Sequence, residues 1–320
     1  MVCVVIALAA TFLSEHYGGP QLLYALLIGL AFHFLVSNPK VKPGVDFCGR
    51  TLLRVGVALL GARITLTQVA KLGVGTALVI VAAVALTIAF GLLLAKWLKR
   101  PREEGVLSGG AVAICGASAA LAISAVLPRN KESDRFTLMV VVTVTVLSTV
   151  AMVAYPLIAR LLHLPPELAG LFLGGTIHDV AQVVGAGYML NHETGDYATI
   201  VKLFRVSMLA VVVVVVSALF KKEREQSVDG TPAVRQALVP WFLWVFVALV
   251  ILNSLGGVPA VVQEGLGTVS RTCLVVAIAA LGIKTSFRQL ARAGWKPFTL
   301  LLVETLWMAA FVLAAIYLRH

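Results

Sequence analysis

Runs of apolar residues about 20 long follow one another from end to end of this chain, separated by short segments holding Pro, Gly, Lys and Arg. Each run is long enough to cross ~30 Å of hydrocarbon as a helix. The pattern predicts eleven helical spans, at about 2–17, 20–37, 45–62, 72–98, 105–127, 134–162, 166–190, 199–220, 238–256, 262–283 and 296–318. The first is short, which leaves ten as the alternative. A β-barrel would show alternating segments of ~10 residues instead. The predicted fold is an all-α polytopic membrane protein, with residues 1–320 forming a single transmembrane domain.

Part of the pattern occurs twice. "RTLLRVGVALLGARITLTQVAKLG" (50–73) aligns without a gap on "RTCLVVAIAALGIKTSFRQLARAG" (271–294). Arg50/Arg271, Thr51/Thr272, Leu60/Leu281, Gly61/Gly282, Gln68/Gln289, Ala70/Ala291 and Gly73/Gly294 are identical at an offset of 221. Pro20 and Pro240 open the preceding spans after a one-residue gap. The copies are therefore 20–98 and 238–318, and the central segment 105–220 is not visibly duplicated. Seven spans separate the two starts, an odd number, so the copies are expected in opposite orientation. Inverted repeats point to a secondary transporter, because alternating access is readily built from two pseudo-symmetric halves. Duplication also occurs in channels, which keeps a channel, or a membrane subunit of a larger complex, as a competing reading.

Composition agrees with this picture. The chain is 60% hydrophobic and 13% charged, against about 25% charged residues in a soluble domain. The net charge of +11 does not indicate nucleic acid, because the basic residues sit mainly in short loops and no basic-aromatic patch interrupts them. One set of loops collects Lys40, Lys42, Lys96, Lys99, Arg100, Arg102, Arg160, Lys221, Lys222, Arg224, Arg235, Lys284, Arg288, Arg292 and Lys296. The other collects Arg63, Lys71, Arg129, Lys131, Arg135 and Arg319. The richer side is expected to be cytoplasmic, with the N-terminus inside. The start of the chain lacks a basic n-region, so a cleaved signal peptide is not expected. Cys3, Cys48, Cys115 and Cys273 are scattered, without CxxC or metal-ligand spacing. No metal or cofactor is expected, and without GxSxG, HExxH or Walker A an enzyme is not expected either.

Two spans are irregular, and they carry the candidate chemistry. "GVLSGGAVAICGASAALAISAVLP" (105–128) is small, polar and helix-weakening around Cys115, Gly116 and Ser118. Close helix packing would account for small residues. Gly109-Gly110 followed by Cys115-Gly116-Ala117-Ser118 favours a broken helix whose freed N–H groups face a polar or anionic substrate. "LFLGGTIHDVAQVVGAGYML" (171–190) places Thr176, His178, Asp179 and Gln182 between glycine breaks. An acid in mid-membrane costs about 2.5–3.5 kcal/mol on an insertion scale, so Asp179 must face protein or water. Asp179 is the expected site of a coupling ion, H⁺ or Na⁺, with His178 as a proton partner. Arg54 is expected to meet an anion or pair with Asp179, and Lys202 and Arg205 to anchor a helix end or line an anion path. Glu304, His33 and Asn253 read as interhelical hydrogen-bonding groups. Trp241, Trp244, Trp295 and Trp307 read as interfacial anchors. Counted as full crossings, the two irregular spans run parallel, unless one is re-entrant.

"GVDFCGRTLLRVGVALLGARITL" (44–66), "AICGASAALAI" (113–123), "TIHDVAQVVGAG" (176–187) and "VKLFRV" (201–206) together resemble the bacterial YeiH family, also called UPF0324 and associated with sulfate export. The resemblance spans nearly the whole chain. It implies inverted repeats with discontinuous helices crossing near mid-membrane and a bacterial inner-membrane location. Its motifs fall on Cys115–Ser118, on His178, Asp179 and Gln182, and on Lys202 and Arg205. The expected function is ion-coupled secondary transport of a small anion of the sulfate or organosulfonate class. A cation:proton antiporter of the same fold is the nearest competitor, and a membrane enzyme using Cys115 and His178 the most distant. The expected partners are the substrate anion and the bilayer, with a homodimer as the assembly to test.

Overall fold

An apolar helix in lipid satisfies its backbone internally, and its neighbours are chosen by close packing rather than by hydrophobicity. The computed structural model describes residues 1–17, 21–62, 64–71, 73–128, 131–221, 241–285 and 295–318. They form fifteen α-helices and no strand. The first six are α1 (Val2–Tyr17), α2 (Gln21–Ala31), α3 (Lys42–Phe47), α4 (Leu53–Leu60), α5 (Leu66–Lys71) and α6 (Gly73–Trp97). A π-helical stretch, Cys48–Leu52, joins α3 to α4. The middle of the chain forms α7 (Arg102–Ala113), α8 (Ala117–Ser124), α9 (Lys131–Leu161), α10 (Pro166–Thr176), α11 (Val180–Leu190) and α12 (His192–Leu219). The last three are α13 (Trp241–Ser254), α14 (Ala260–Lys284) and α15 (Trp295–Tyr317). Five helices, α6, α9, α12, α14 and α15, are long and apolar enough to cross a membrane alone.

The predicted spans at 105–127 and 166–190 are both helical hairpins rather than crossings. Gly110 of α7 packs against Ile123 of α8. Glu104 and Leu107 near the start of α7 line one depression with Ser124 and Leu127 near the end of α8. The chain has therefore turned back at 114–116. The second pair turns back at 177–179. On α10, Gly170 lies against Tyr197 and Gly174 against Val201 of α12, so α10 runs with α12. On α11, Gly187 lies against Gly195 and Ala198, so α11 runs the opposite way.

The two hairpins enter from opposite faces. The first opens where α6 ends, α9 begins and α12 ends: Arg100 lies 6.0 Å from the Phe136 ring centroid and Arg102 5.6 Å from that of Phe220. The second opens where α9 ends and α12 begins, with Arg160 Nη2 donating to Met189 O at 3.2 Å. This changes the grouping of basic residues. Arg135 belongs with Lys96, Lys99, Arg100 and Arg102, and Arg160 lies on the other face. Arg129 lies outside the described residues. In a cysteine-free background, a maleimide applied from one side should label Arg102→Cys and Glu132→Cys together. Glu167→Cys and Glu193→Cys, also at exposed positions, should react only from the opposite side. Two full crossings would put positions 102 and 132 on opposite faces.

Around the hairpins stand α6, α9, α12 and α15. The buried residues of α6, Ile80, Val84, Thr87, Gly91 and Ala95, recur at helical spacing. Gly91, Gly105 and Gly109 bring α6 and α7 into backbone contact: a Cβ on Gly91 would lie 2.6 Å from Gly105 O. A second group, α2, α4, α13 and α14, packs by exchanged contacts. Gly282 of α14 seats on Leu26 and Gly29 of α2, and Gly61 at the end of α4 seats on Phe246 and Leu249 of α13. Gly61 and Gly282 are paired in the sequence alignment, and with its one-residue gap so are Leu26 with Phe246 and Gly29 with Leu249. Each glycine thus docks on the preceding helix of the other copy, as a two-fold relation requires. The aligned residues 286–294, Arg63, Pro20 and Pro240, and most of the loop 220–236, lie outside the described residues.

His33 Nδ1 faces Ile283 O of α14 at 2.8 Å, whereas Asn253 of α13 donates to Ile64 O at 3.2 Å, in the link between α4 and α5 rather than on a helix. Trp241 and Trp244 are exposed, as interfacial anchors would be. Trp307 is not at an interface: it lies mid-helix in α15, stacked on Phe90 with ring centroids 4.6 Å apart.

Candidate functional site

The tip of the first hairpin is Ile114-Cys115-Gly116. Gly116 has φ +62°, a conformation that glycine adopts without strain. A Cβ there would also press on its neighbours, 3.3 Å from His178 Cβ and 3.5 Å from Val144 Cγ2. The two tips therefore touch, beside the middle of α9. The tip of the second hairpin is Ile177-His178-Asp179. Asp179 is the N-cap of α11, its Oδ1 accepting from Ala181 N at 2.8 Å. Its own N–H donates to Ser148 Oγ of α9 at 3.0 Å. This cap begins a new helix where the previous one has ended, in mid-membrane.

Breaking two helices leaves C-terminal carbonyls with no intrahelical donor, in a medium that supplies none. Helix α12 supplies the donors. Lys202 Nζ donates to Ile114 O at 2.6 Å and Ile177 O at 3.0 Å. Arg205 Nε donates to Ala113 O at 3.0 Å, and Nη1 donates to Gly174 O at 2.9 Å and Ile177 O at 3.1 Å. Its Nη2 donates to Val112 O at 3.1 Å and Ala113 O at 2.8 Å. Both side chains are fully buried. Seven hydrogen bonds thus fall on five carbonyls of α7, α10 and their tips. The negative ends of two helix dipoles face two cations, which offsets part of the desolvation cost of burying them. All five N–H groups of a guanidinium are committed here, so Arg205 clamps the tips and has no donor left for an anion. Lys202 has three donors and two carbonyl acceptors.

His178 is fully buried between the tips and α15. Its Nδ1 faces Val112 O at 3.2 Å and its Nε2 faces Thr305 Oγ1 at 3.0 Å. A carbonyl only accepts, so Nδ1 carries the proton, while Thr305 Oγ1 sits between Nε2 and Leu301 O, 2.7 Å away, with one hydroxyl proton for the two. Gln182 Nε2 donates to Thr149 Oγ1 at 2.8 Å, and Thr149 Oγ1 lies 3.4 Å from Thr285 Oγ1 at the end of α14. Thr176 turns its hydroxyl back to Phe172 O at 2.5 Å. Cys115 is buried at the first tip, and Ser118 is exposed on the first turn of α8. The N-cap of α8 is Gly116, which has no side chain to cap with; the Cys115 sulfur takes the Ala119 amide, and those of Ala117 and Ser118 are open to an acceptor.

Cys115, Gly116, Ser118, Thr176, His178, Asp179, Gln182, Lys202 and Arg205 therefore gather around the two tips. Arg54 does not join them. It is exposed on α4 and forms no ion pair with Asp179 among the described residues. Ser148, Thr149, Thr305 and Met308 belong to the cluster and were not singled out from the sequence. Each is one small polar or sulfur-bearing residue in a long apolar helix, a pattern that packing alone also produces.

The chain has relatives along nearly its whole length. The profile of the family described as "Conserved hypothetical protein 698" matches residues 1–301. UPF0324 membrane protein CT0845 of Chlorobaculum tepidum is 51% identical over 314 residues, covering 98% of this chain and 87% of its own length. UPF0324 membrane protein TauZ of Paracoccus pantotrophus is 50% identical over 318 residues, covering 99% of this chain and 94% of its own. UPF0324 membrane protein RB0971 of Rhizobium meliloti is 47% identical over 317 residues, covering 99% of this chain and 91% of its own. No solved structure matches. An all-helical membrane fold and near end-to-end identity of about half place this chain in the UPF0324 family of membrane proteins.

Proposed function

We propose that the chain is a secondary active transporter of a small anion, of the sulfate or organosulfonate class, working by alternating access with H⁺ or Na⁺ as the coupled ion. The observation that carries this reading is the meeting of two re-entrant hairpins, from opposite faces, beside two fully buried cations. Irregular backbone at membrane depth is tolerated where it lines a substrate or ion path. Hairpins from opposite faces suit alternating access, because loosening either one opens the centre to one side only.

In this reading the anion lies at the tips. The open Ala117 and Ser118 amides of α8, the Ser118 hydroxyl and the third N–H of Lys202 are its donors. Arg205 holds the tips in place and contributes charge without touching the anion. Asp179, half-buried and unpaired with either cation among the described residues, carries the coupling ion. The regrouped loops leave the face holding Lys96, Lys99, Arg100, Arg102, Arg135 and Lys221 the more basic, which orients it, and the N-terminus with it, towards the cytoplasm of a bacterial inner membrane.

Thermal unfolding of the purified protein with a panel of anions, at fixed sodium and pH, tests the reading. Sulfate or a short alkylsulfonate at about 100 times its Kd should add ~2.7 kcal/mol of stability and raise Tm by several degrees. Stabilisation by sodium or pH alone, with no anion effect, would favour the antiporter instead. The unpaired Asp179 is what recommends that second reading.

A further inference from the structure

Among the described residues, one fully buried carboxyl lies outside the hairpin tips. Glu304, in the middle of α15, is fully buried where α15 packs on α6 and α7. Its Oε1 accepts from Ser108 Oγ of α7 at 2.7 Å. Its Oε2 has no partner among the described residues. Two further buried polar atoms without partners lie on adjoining turns: Thr87 Oγ1, one turn before Gly91 on α6, and Trp307 Nε1, one turn after Glu304.

A carboxylate in mid-membrane with one donor and no cation is not a stable arrangement. The charged groups around it are accounted for. On α7, Glu104 holds Arg100 by two hydrogen bonds of 2.6 Å. On α6, the first charged residue is Lys96, near the cytoplasmic end. From the hairpin tips and α12, His178 faces Thr305 and Arg205 faces Met308 Sδ at 3.6 Å, its N–H groups all committed. Among the described residues no group of three or more His, Cys, Asp or Glu side chains stands here to hold a metal cation. A proton needs no such ligand set.

We propose that Glu304 is the proton-carrying group of this transporter: Oε2 binds a proton in the packed state and releases it when the α7–α8 hairpin shifts against α6 and α15. Protonation forms an O–H bond on Oε2 and neutralises the carboxylate; release breaks that bond, passes the proton to water admitted as the hairpin shifts, and restores the charge. The coupling role rests on the transport reading above, and the proton itself does not.

Two measurements test it. The infrared spectrum of wild type minus Glu304→Gln, both in nanodiscs at neutral pH, should show the carbonyl band of a neutral carboxylic acid. Its absence overturns the proposal whatever the protein transports. Sulfate flux into sodium-free proteoliposomes should vary with pH by up to about tenfold per unit in wild type, the slope of one titrating proton. In Glu304→Gln, which keeps the hydrogen-bonding shape, it should become flat. Unchanged pH dependence in that variant overturns the coupling role, and so does restoration of the wild-type profile by sodium. Wild-type protein that moves neither sulfate nor a short alkylsulfonate, with or without sodium, refutes the transport reading, while the band still decides whether Glu304 holds the proton.

Discussion

Replacing Arg205 with Met should lower Tm by roughly 6–20 °C, the largest stability loss expected from any single side chain described above. The side chains are close in volume, so the change removes donors rather than filling. It strips hydrogen bonds from Val112, Ala113, Gly174 and Ile177 carbonyls, of which Val112 O, Ala113 O and Gly174 O lie at the unravelled ends of α7 and α10. Taking one partner out of a buried charged network costs about 3–5 kcal/mol. At about 2–4 °C per kcal/mol the stated range follows. Arg205→Lys should fall between, because an ammonium keeps the charge but offers three donors to a cluster that uses five. Arg54→Met, at an exposed position of α4, should shift stability by no more than ~0.5 kcal/mol. Thermal unfolding in nanodiscs reads all three. An Arg205→Met protein as stable as wild type would show that the tips are held by something other than the guanidinium.

That contrast between Arg54 and Arg205 shows what the sequence can and cannot say. Both are arginines inside apolar runs, and hydropathy treats them alike. Arg205 differs because two helices have been broken beside it, and its partners are main-chain carbonyls, which leave no mark on side-chain pattern. Glycine marked the first break, at Gly116, where φ is positive, but the second turn falls on Ile177-His178-Asp179, and Gly174, Gly175, Gly185 and Gly187 lie within α10 and α11, where they permit close approach of neighbouring helices. Whether a break becomes a kink or a hairpin depends on what packs on either side. For the second hairpin that is Gly170 and Gly174 running along α12 in one direction and Gly187 returning in the other. Window hydropathy cannot distinguish a crossing from an equally long excursion to mid-depth and back, so it assigned Arg135 and Arg160 to the wrong faces. Two glycines matched in the alignment, Gly61 and Gly282, sit at helix crossings, where a Cβ would meet backbone. Trp307 was misread for the converse reason: tryptophan prefers interfaces on average, but here its ring fills the space beside Phe90.

Asp179→Asn should abolish ion-driven sulfate flux while leaving the protein folded. Asparagine caps helices about as well as aspartate, so the bond to Ala181 N and the start of α11 survive, and the main-chain bond to Ser148 is untouched. Stability should change by less than ~1 kcal/mol. The negative charge at the meeting point of the tips is lost, however, and with it the group that binds a coupling cation. Asp179→Ala should lose the charge and the cap together, so its Tm should fall further by the worth of a cap, about 1 kcal/mol. Comparing the two separates coupling from architecture. Flux driven by an ion gradient should vanish in both, and sulfate exchange without a gradient should persist in Asp179→Asn if the anion is held by α8 and Lys202 alone. Normal gradient-driven flux in Asp179→Asn would remove the carboxylate from the coupling mechanism. The two buried acids also make distinct demands: Glu304 takes part by holding a proton in a packed interface, and Asp179 by presenting a charge at a helix start. Loss of pH dependence in Glu304→Gln, alongside loss of all gradient-driven flux in Asp179→Asn, is the pattern that two separate sites predict. Identical defects in both variants would mean that one titrating unit spans the distance between α15 and the tips, with His178 and Thr305 as the bridge.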